Sequence, residues 1–144
     1  MQIKIKKADQ RHRKEINRLI MEALGSRIKG PIKDIWFIRV KGEIVATGGL
    51  NFYQDQVAIF THLVVKKEFR RQGLGSALIR HRMQVAEERG VSILALITMY
   101  YHYNFYKRRG FKTCPRKELP ESIKNHWMFT VQRYKKCAVM YQHI

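Results

Sequence analysis

The stretch Arg70-Arg71-Gln72-Gly73-Leu74-Gly75 carries the residues best spaced for holding a charged ligand. It follows the apolar run Val57 to Val65 and precedes an amphipathic segment from about Ser76 to Arg89, which predicts strand, turn and helix in succession. A glycine-containing turn at a helix start gathers unpaired N–H groups and the positive end of the helix dipole, so the chemistry expected there is phosphate binding. Two glycines alone leave the ligand open. A Walker loop is excluded because no Gly-Lys-Ser/Thr follows Gly75. A dinucleotide fingerprint fits poorly: its third small residue falls at Leu78, and the run Ile93 to Ile97, about 20 residues on, has no carboxylate for a ribose. A tight strand-to-helix turn without a ligand uses the same residues. On the preceding strand His62 is the one strong titratable group, able to act as a base directly or through water, or to be a satisfied core residue.

The elements that must position these groups can be read outward from the turn. Ile3 and Ile5 alternate with lysines as a short first strand. Asp9 is suited to cap a helix whose apolar face is Ile16, Leu19, Ile20, Ala23 and Leu24, ended by Gly25. Ser26 to Lys33 is a connector, and its Arg27, Lys29 and Lys33 are either solvated or available to an acceptor carboxylate. Asp34 to Val40 and Glu43 to Phe52 read as strands joined by the hairpin pair Lys41-Gly42. Beyond the turn Gln54 to Gln56, alternation places Val57, Ile59, Thr61, Leu63 and Val65 on one face and Ala58, Phe60, His62 and Val64 on the other, as in a central strand. The helix after Gly75 turns Ala77, Leu78 and Val85 to the sheet and stops at Gly90; Val91 to Ile97 reads as a buried parallel strand. Phe111 to Pro115 and Lys136 to Gln142 are the last strands expected, with a helix from Leu119 to about Trp127 between them. This is an α/β order with helices on both sides of a mixed sheet.

A chain of 144 residues suits one domain spanning 1–144. Its 29 Lys and Arg against 11 Asp and Glu give a net charge of +18, which favours acidic small molecules or polyanions and disfavours cationic acceptors such as polyamines. Because the basic residues are spread along the chain rather than gathered in an arm, nucleic acid or ribosome contact is an open but secondary expectation. No apolar run has the length of a membrane span and the polar start is unlike a signal peptide, so a soluble, cytoplasmic protein is expected, as monomer or homodimer. Cys114 and Cys137 lack metal-ligand spacing and read as reduced thiols, and no metal site is expected.

The pattern Arg-x-x-Gly-x-Gly after Leu63-Val64-Val65, and the later Tyr106-Lys107-Arg108-Arg109-Gly110-Phe111, together resemble the GNAT acyltransferase superfamily over essentially the whole chain. The Leu119-Pro120 step and the closing Cys137-Ala138-Val139-Met140 are similar to its compact amino-acid acetyltransferases of the glutamate type. The resemblance implies a GNAT fold with a mixed, mostly antiparallel sheet of about seven strands, and transfer of acetyl from acetyl-coenzyme A to a primary amine. It also implies cofactor binding by the backbone of Gln72, Gly73, Leu74, Gly75 and Ser76, with charge from Lys66, Lys67, Arg70 and Arg71. The backbone of Leu63, Val64 and Val65 matches the place where the family holds the thioester carbonyl, and Asn104 joins the cofactor set. Tyr106 matches the family's general acid, and a phenol with an ordinary pKa of about 10 can give a proton to a departing thiolate. Tyr100, Tyr101 and Tyr103 are its neighbours and rivals.

The general base departs from the pattern. Many members carry a strand glutamate where this chain has Ile59, which leaves His62 as the candidate. A lysine-like amine must give up roughly 4 to 5 kcal/mol to become the free base at pH 7, a protein α-amine only about 1 kcal/mol. The leading expectation is an acidic small acceptor such as an amino acid; a protein or peptide amine, or a coenzyme- or polyanion-binding module without turnover, are the alternatives.

Overall fold

The computed structural model describes residues 2–99 and 102–144. Seven strands form one sheet in the order β1-β2-β3-β4-β5-β7-β6: β1 (Ile5–Lys7), β2 (Ile35–Val40), β3 (Glu43–Tyr53), β4 (Val57–Val65), β5 (Ile93–Thr98), β6 (Lys112–Thr113) and β7 (Ala138–His143). β4 and β5 run parallel, with Val57 opposite Ile93 and Ile59 opposite Ala95. The β1–β2, β2–β3, β5–β7 and β6–β7 pairs are antiparallel. The helices are α1 (Arg13–Leu24), α2 (Leu74–Glu88), α3 (Tyr103–Lys107) and α4 (Trp127–Thr130). No described helix is long and apolar enough to cross a membrane. The chain divides into two compact units, Met1–Asn51 with Phe60–Val85, and Phe52–Ile59 with Ala86–Ile144.

In the first unit, Asp9 caps a 3-10 turn that leads into α1: its carboxylate accepts the Arg11 N–H at 2.9 Å while its own N–H donates to His12 Nδ1 at 3.0 Å. Ile16, Leu19 and Ile20 pack with Ile35, Phe37, Ile44 and Val64. Ala23 and Leu24, expected on that apolar face, are instead exposed. The core reached by α1 ends at Ile20, and Gly25, left-handed at φ 68°, closes the helix one turn later with its N–H on Met21 O. Lys41 and Gly42 both take positive φ, 50° and 81°, as a two-residue hairpin turn requires. Where β2 shifts register between Ile38 and Arg39, the Glu15 carboxylate accepts from the Ile44 N–H at 2.9 Å and from Arg39 Nη1 at 3.1 Å. An acid on a helix thereby stitches an irregular strand pair.

The second unit has its core at Val57, Ile59, Ala95, Leu119, Ile123, Phe129 and Val139. The helix expected from Leu119 to Trp127 does not form. Lys124 N–H reaches Pro120 O at 2.9 Å, but His126 is extended at ψ 140°, so one turn is made and not propagated. Burying Leu119, Ile123 and Phe129 in one cluster, with Arg116 donating to Phe129 O at 3.0 Å and Tyr134 O at 2.7 Å, dictates a folded-back path instead. β6 is shorter than the expected Phe111–Pro115 run, and β1 begins at Ile5 rather than Ile3. Cys114 and Cys137 are not bonded to each other, and both are buried.

Candidate functional site

The turn expected to bind phosphate lies wholly in the first unit. After β4 the chain makes a 3-10 turn over Lys67–Phe69, anchored by Lys66 N–H on Val45 O at 2.8 Å. Arg70 Nε donates to Val65 O at 3.0 Å, tying the turn back to the strand end. Arg71 and Gly73 both adopt left-handed φ, 64° and 83°, on either side of Gln72. Such alternation curls successive N–H groups toward one side and makes a concave anion seat. α2 then starts at Leu74, and its first ladder bond is Ala77 N–H to Gly73 O at 3.0 Å. The amides of Gly73, Leu74, Gly75 and Ser76 thus precede the helical ladder, at the positive end of a helix running to Glu88. Open space lies where a Cβ at Gly73 would project. These features fit a diphosphate. Of the flanking cations, Lys67, Arg70 and Arg71 are exposed, whereas the Lys66 ammonium pairs with Glu43.

Upstream, β4 does not keep the alternation expected of it. His62 has φ 51°, the left-handed region, in the middle of the strand. A Cβ built on Gly49 would meet Thr61 Oγ1 at 2.6 Å and Ile35 Cγ1 at 3.4 Å, so Thr61 faces the Ile35 side. Val64 packs in the same Ile35 cluster. Thr61 and Val64 therefore share a face, where strict alternation puts them on opposite ones; the kink at His62 shifts the parity of everything after it. The stretch Leu63, Val64 and Val65 leaves that kink directly. His62 itself is half-buried, and its imidazole pKa is lowered first by burial and then by the Arg82 charge. It is accordingly neutral at pH 7. Ile59, at the family's usual carboxylate position, is fully buried in the apolar core of the second unit.

Sequence reasoning missed Arg82, which is fully buried. Its Nη1 donates to Gly49 O at 2.9 Å and to Thr61 O at 3.3 Å, its Nε to Leu78 O at 3.2 Å, and its guanidinium lies 4.1 Å from the Phe60 ring centroid. The signal was present: Leu74, Leu78 and Arg82 occupy the i, i+4, i+8 row of α2, so an arginine stands on the helix's apolar face. Gly48 in the facing strand makes the room, since a Cβ there would come within 2.9 Å of Arg82 Nε. Elsewhere on α2, Ala77 and Leu78 are buried as expected, while Val85 is only half-buried.

The connector after α1 is pinned by Arg13, whose guanidinium donates to Ile28 O at 3.0 Å and to Gly30 O, and by Asn17 Oδ1, which accepts from Ile28 N–H at 2.8 Å. Arg27, Lys29 and Lys33 project from it into solvent. In the second unit, Tyr106 sits on α3, half-buried, edge-on to Phe105 at 5.2 Å and to Phe111 at 5.9 Å. Its carbonyl accepts from Arg109 N–H at 2.9 Å and Phe111 N–H at 3.2 Å, which fixes the turn into Gly110. Asn104 is exposed in the same short helix. Of the neighbouring phenols, Tyr103 contacts Thr113 Oγ1 at 3.1 Å, and Tyr100 and Tyr101 lie outside the described residues.

The sequence model of the Acetyltransferase (GNAT) family matches residues 7–111, from β1 through the Tyr106 helix to Phe111. The chain belongs to that family. An uncharacterized N-acetyltransferase of Chlorobaculum tepidum is 29% identical over 92 residues, which are 64% of this chain and 58% of that protein. Among solved structures, N-acetylglutamate synthase of Neisseria gonorrhoeae, complexed with coenzyme A and N-acetyl-glutamate, superposes with a TM-score of 0.85 at 19% identity, over 99% of this chain and 35% of that one. The ribosomal-protein-S18-alanine N-acetyltransferase of Escherichia coli gives a TM-score of 0.75 at 18% identity, over 99% of this chain and 94% of that one. The seven-stranded sheet is thus the GNAT fold. This GNAT chain spans little more than half the length of its Chlorobaculum relative and about a third (35%) of the synthase.

Proposed function

We propose that this GNAT protein is an acetyl-coenzyme A-dependent N-acetyltransferase acting on the primary amine of a small acidic acceptor such as an amino acid, with residues 1–144 working as one domain. The observation that carries the reading is the turn at Arg71 to Gly73, whose left-handed residues and leading α2 amides form an anion seat. Backbone N–H groups of Gln72, Gly73, Leu74, Gly75 and Ser76 hold the diphosphate; Arg70, Arg71 and Lys67 add positive charge around it. Acetyl-coenzyme A supplies the acyl group as a thioester. The backbone at Leu63, Val64 and Val65, aimed by the kink at His62, orients the acyl carbonyl, and Asn104 contributes to coenzyme contact. Tyr106 is the proton donor for the thiolate. The exposed Arg27, Lys29 and Lys33 on the connector, in a chain of net charge +18, favour a carboxylate-bearing acceptor.

A specific observation favours a second acceptor class. With Ile59 in the apolar core and His62 a weakened base, deprotonating an amine of pKa near 10.4 is demanding, about 4 to 5 kcal/mol at pH 7, whereas a protein α-amine asks for about 1 kcal/mol.

A thiol-release assay with acidic, neutral and basic amino acids, peptides with free N-termini and no acceptor tests the reading. The acidic amino acids are expected to turn over fastest. Peptide-only turnover would move the acceptor to the α-amine class, and tight coenzyme binding with no turnover would make the protein a binding module. Tyr106→Phe should lower turnover far more than coenzyme affinity; a parallel loss of both would remove the proton-donor role.

A further inference from the structure

We propose that Arg82 and Thr47 are positioning residues that lock the β4 kink at His62. Both side chains are fully buried. They take consecutive carbonyls of the kinked segment: Arg82 Nη1 donates to Thr61 O at 3.3 Å and Thr47 Oγ1 donates to His62 O at 2.8 Å. In a regular inner strand those carbonyls would be acceptors for a neighbouring backbone. Here two side chains donate to them, on either side of a residue whose φ of 51° departs from the strand. Because Nη1 also takes Gly49 O at 2.9 Å, one guanidinium bridges β3 and β4 at the kink, and its planar fork holds both carbonyls in fixed directions.

The same helix that begins at the anion seat carries this clamp. Arg82 lies eight residues after Leu74, about 12 Å along α2. α2 therefore fixes the spacing between the diphosphate seat and the backbone that leaves the kink. On the enzyme reading above, on which this consequence rests, the lock sets where the acyl group sits without touching the diphosphate.

Two measurements separate the lock from that reading. Backbone amide shifts and hydrogen exchange of His62 to Val65 are compared in the parent, Thr47→Val, Thr47→Ser and Arg82→Met. Thr47→Val and Arg82→Met should move these amides and speed their exchange while those of Leu74 to Ala77 stay put; Thr47→Ser should resemble the parent. Unchanged His62 to Val65 amides in a folded Thr47→Val protein would overturn the lock, whether or not the protein has activity. In the thiol-release assay, Thr47→Val is expected to lose roughly 10- to 100-fold in kcat with the coenzyme Kd held within about threefold, and Thr47→Ser to recover most of it. A kcat equal to the parent's, or a Kd that worsens in step with kcat, would overturn the positioning role. Absence of transfer in the parent itself would end the enzyme reading and with it the kinetic consequence, and the amide comparison would still decide the lock.

Discussion

Adding one methyl group at Gly48 should be unusually costly. A Cβ at that position lies 2.9 Å from Arg82 Nε, 3.0 Å from Cζ and 3.3 Å from Cδ. Reaching ordinary contact at 3.4 Å requires a retreat of about 0.5 Å by a side chain that is fully buried and bonded to the carbonyls of Gly49, Thr61 and Leu78. Overpacking a close-packed interior costs about 1 to 3 kcal/mol, and weakening a charged hydrogen bond adds to it, so Gly48→Ala should lose roughly 2 to 4 kcal/mol. At about 3 °C per kcal/mol for a domain of this size, the thermal midpoint falls by roughly 6 to 12 °C. Gly30→Ala is the control: it has no neighbour within 4 Å and no positive φ, so its stability should match or slightly exceed the parent's. Urea unfolding of both variants, and of Gly48→Ala in an Arg82→Met background, reads the effect. The methyl group should cost at least about 1 kcal/mol less when Met replaces the guanidinium. Gly48→Ala within about 0.5 kcal/mol of the parent, or identical costs in the two backgrounds, would refute the packing argument.

Burial lowers the pKa of both His62 and His126, so below their ordinary pKa the unfolded chain binds more protons than the folded one and stability rises with pH there. Urea midpoints at pH 7.5, 6.5 and 5.5 should therefore fall as the solution is acidified, and His62→Gln should flatten part of that slope; an unchanged slope would contradict it. Gly73→Ala meets no side chain but is held at φ 83°, so it should weaken coenzyme A binding by about tenfold in a calorimetric titration, equal affinity counting against the anion seat. Glu15→Ala removes the acceptor for the Ile44 N–H and for Arg39 and should cost about 1 to 2 kcal/mol in chemical denaturation, with the β2–β3 amides exchanging faster.

What could be read in advance was what neighbouring residues decide among themselves. The turn before the second helix depends on Arg71, Gln72, Gly73 and the next helix start; the hairpin depends on Lys41-Gly42; the 3-10 turn that leads into the first helix depends on Asp9, and the end of that helix on Gly25. Backbone preference and capping act over a few residues, so a string of letters carries them. The kink at His62 belongs to another class. Nothing in Thr61-His62-Leu63 announces it, because its carbonyls are taken by Thr47 and Arg82, distant along the chain, and the space for Arg82 comes from Gly48. The region after Leu119 teaches the same lesson from the opposite side: its local pattern favoured a helix, and the burial of Ile123 and Phe129, with Arg116 holding remote carbonyls, broke it. Hydrogen bonds and buried volume between segments far apart in sequence exist only once the sheet has brought them together, and at those places they outweigh local preference.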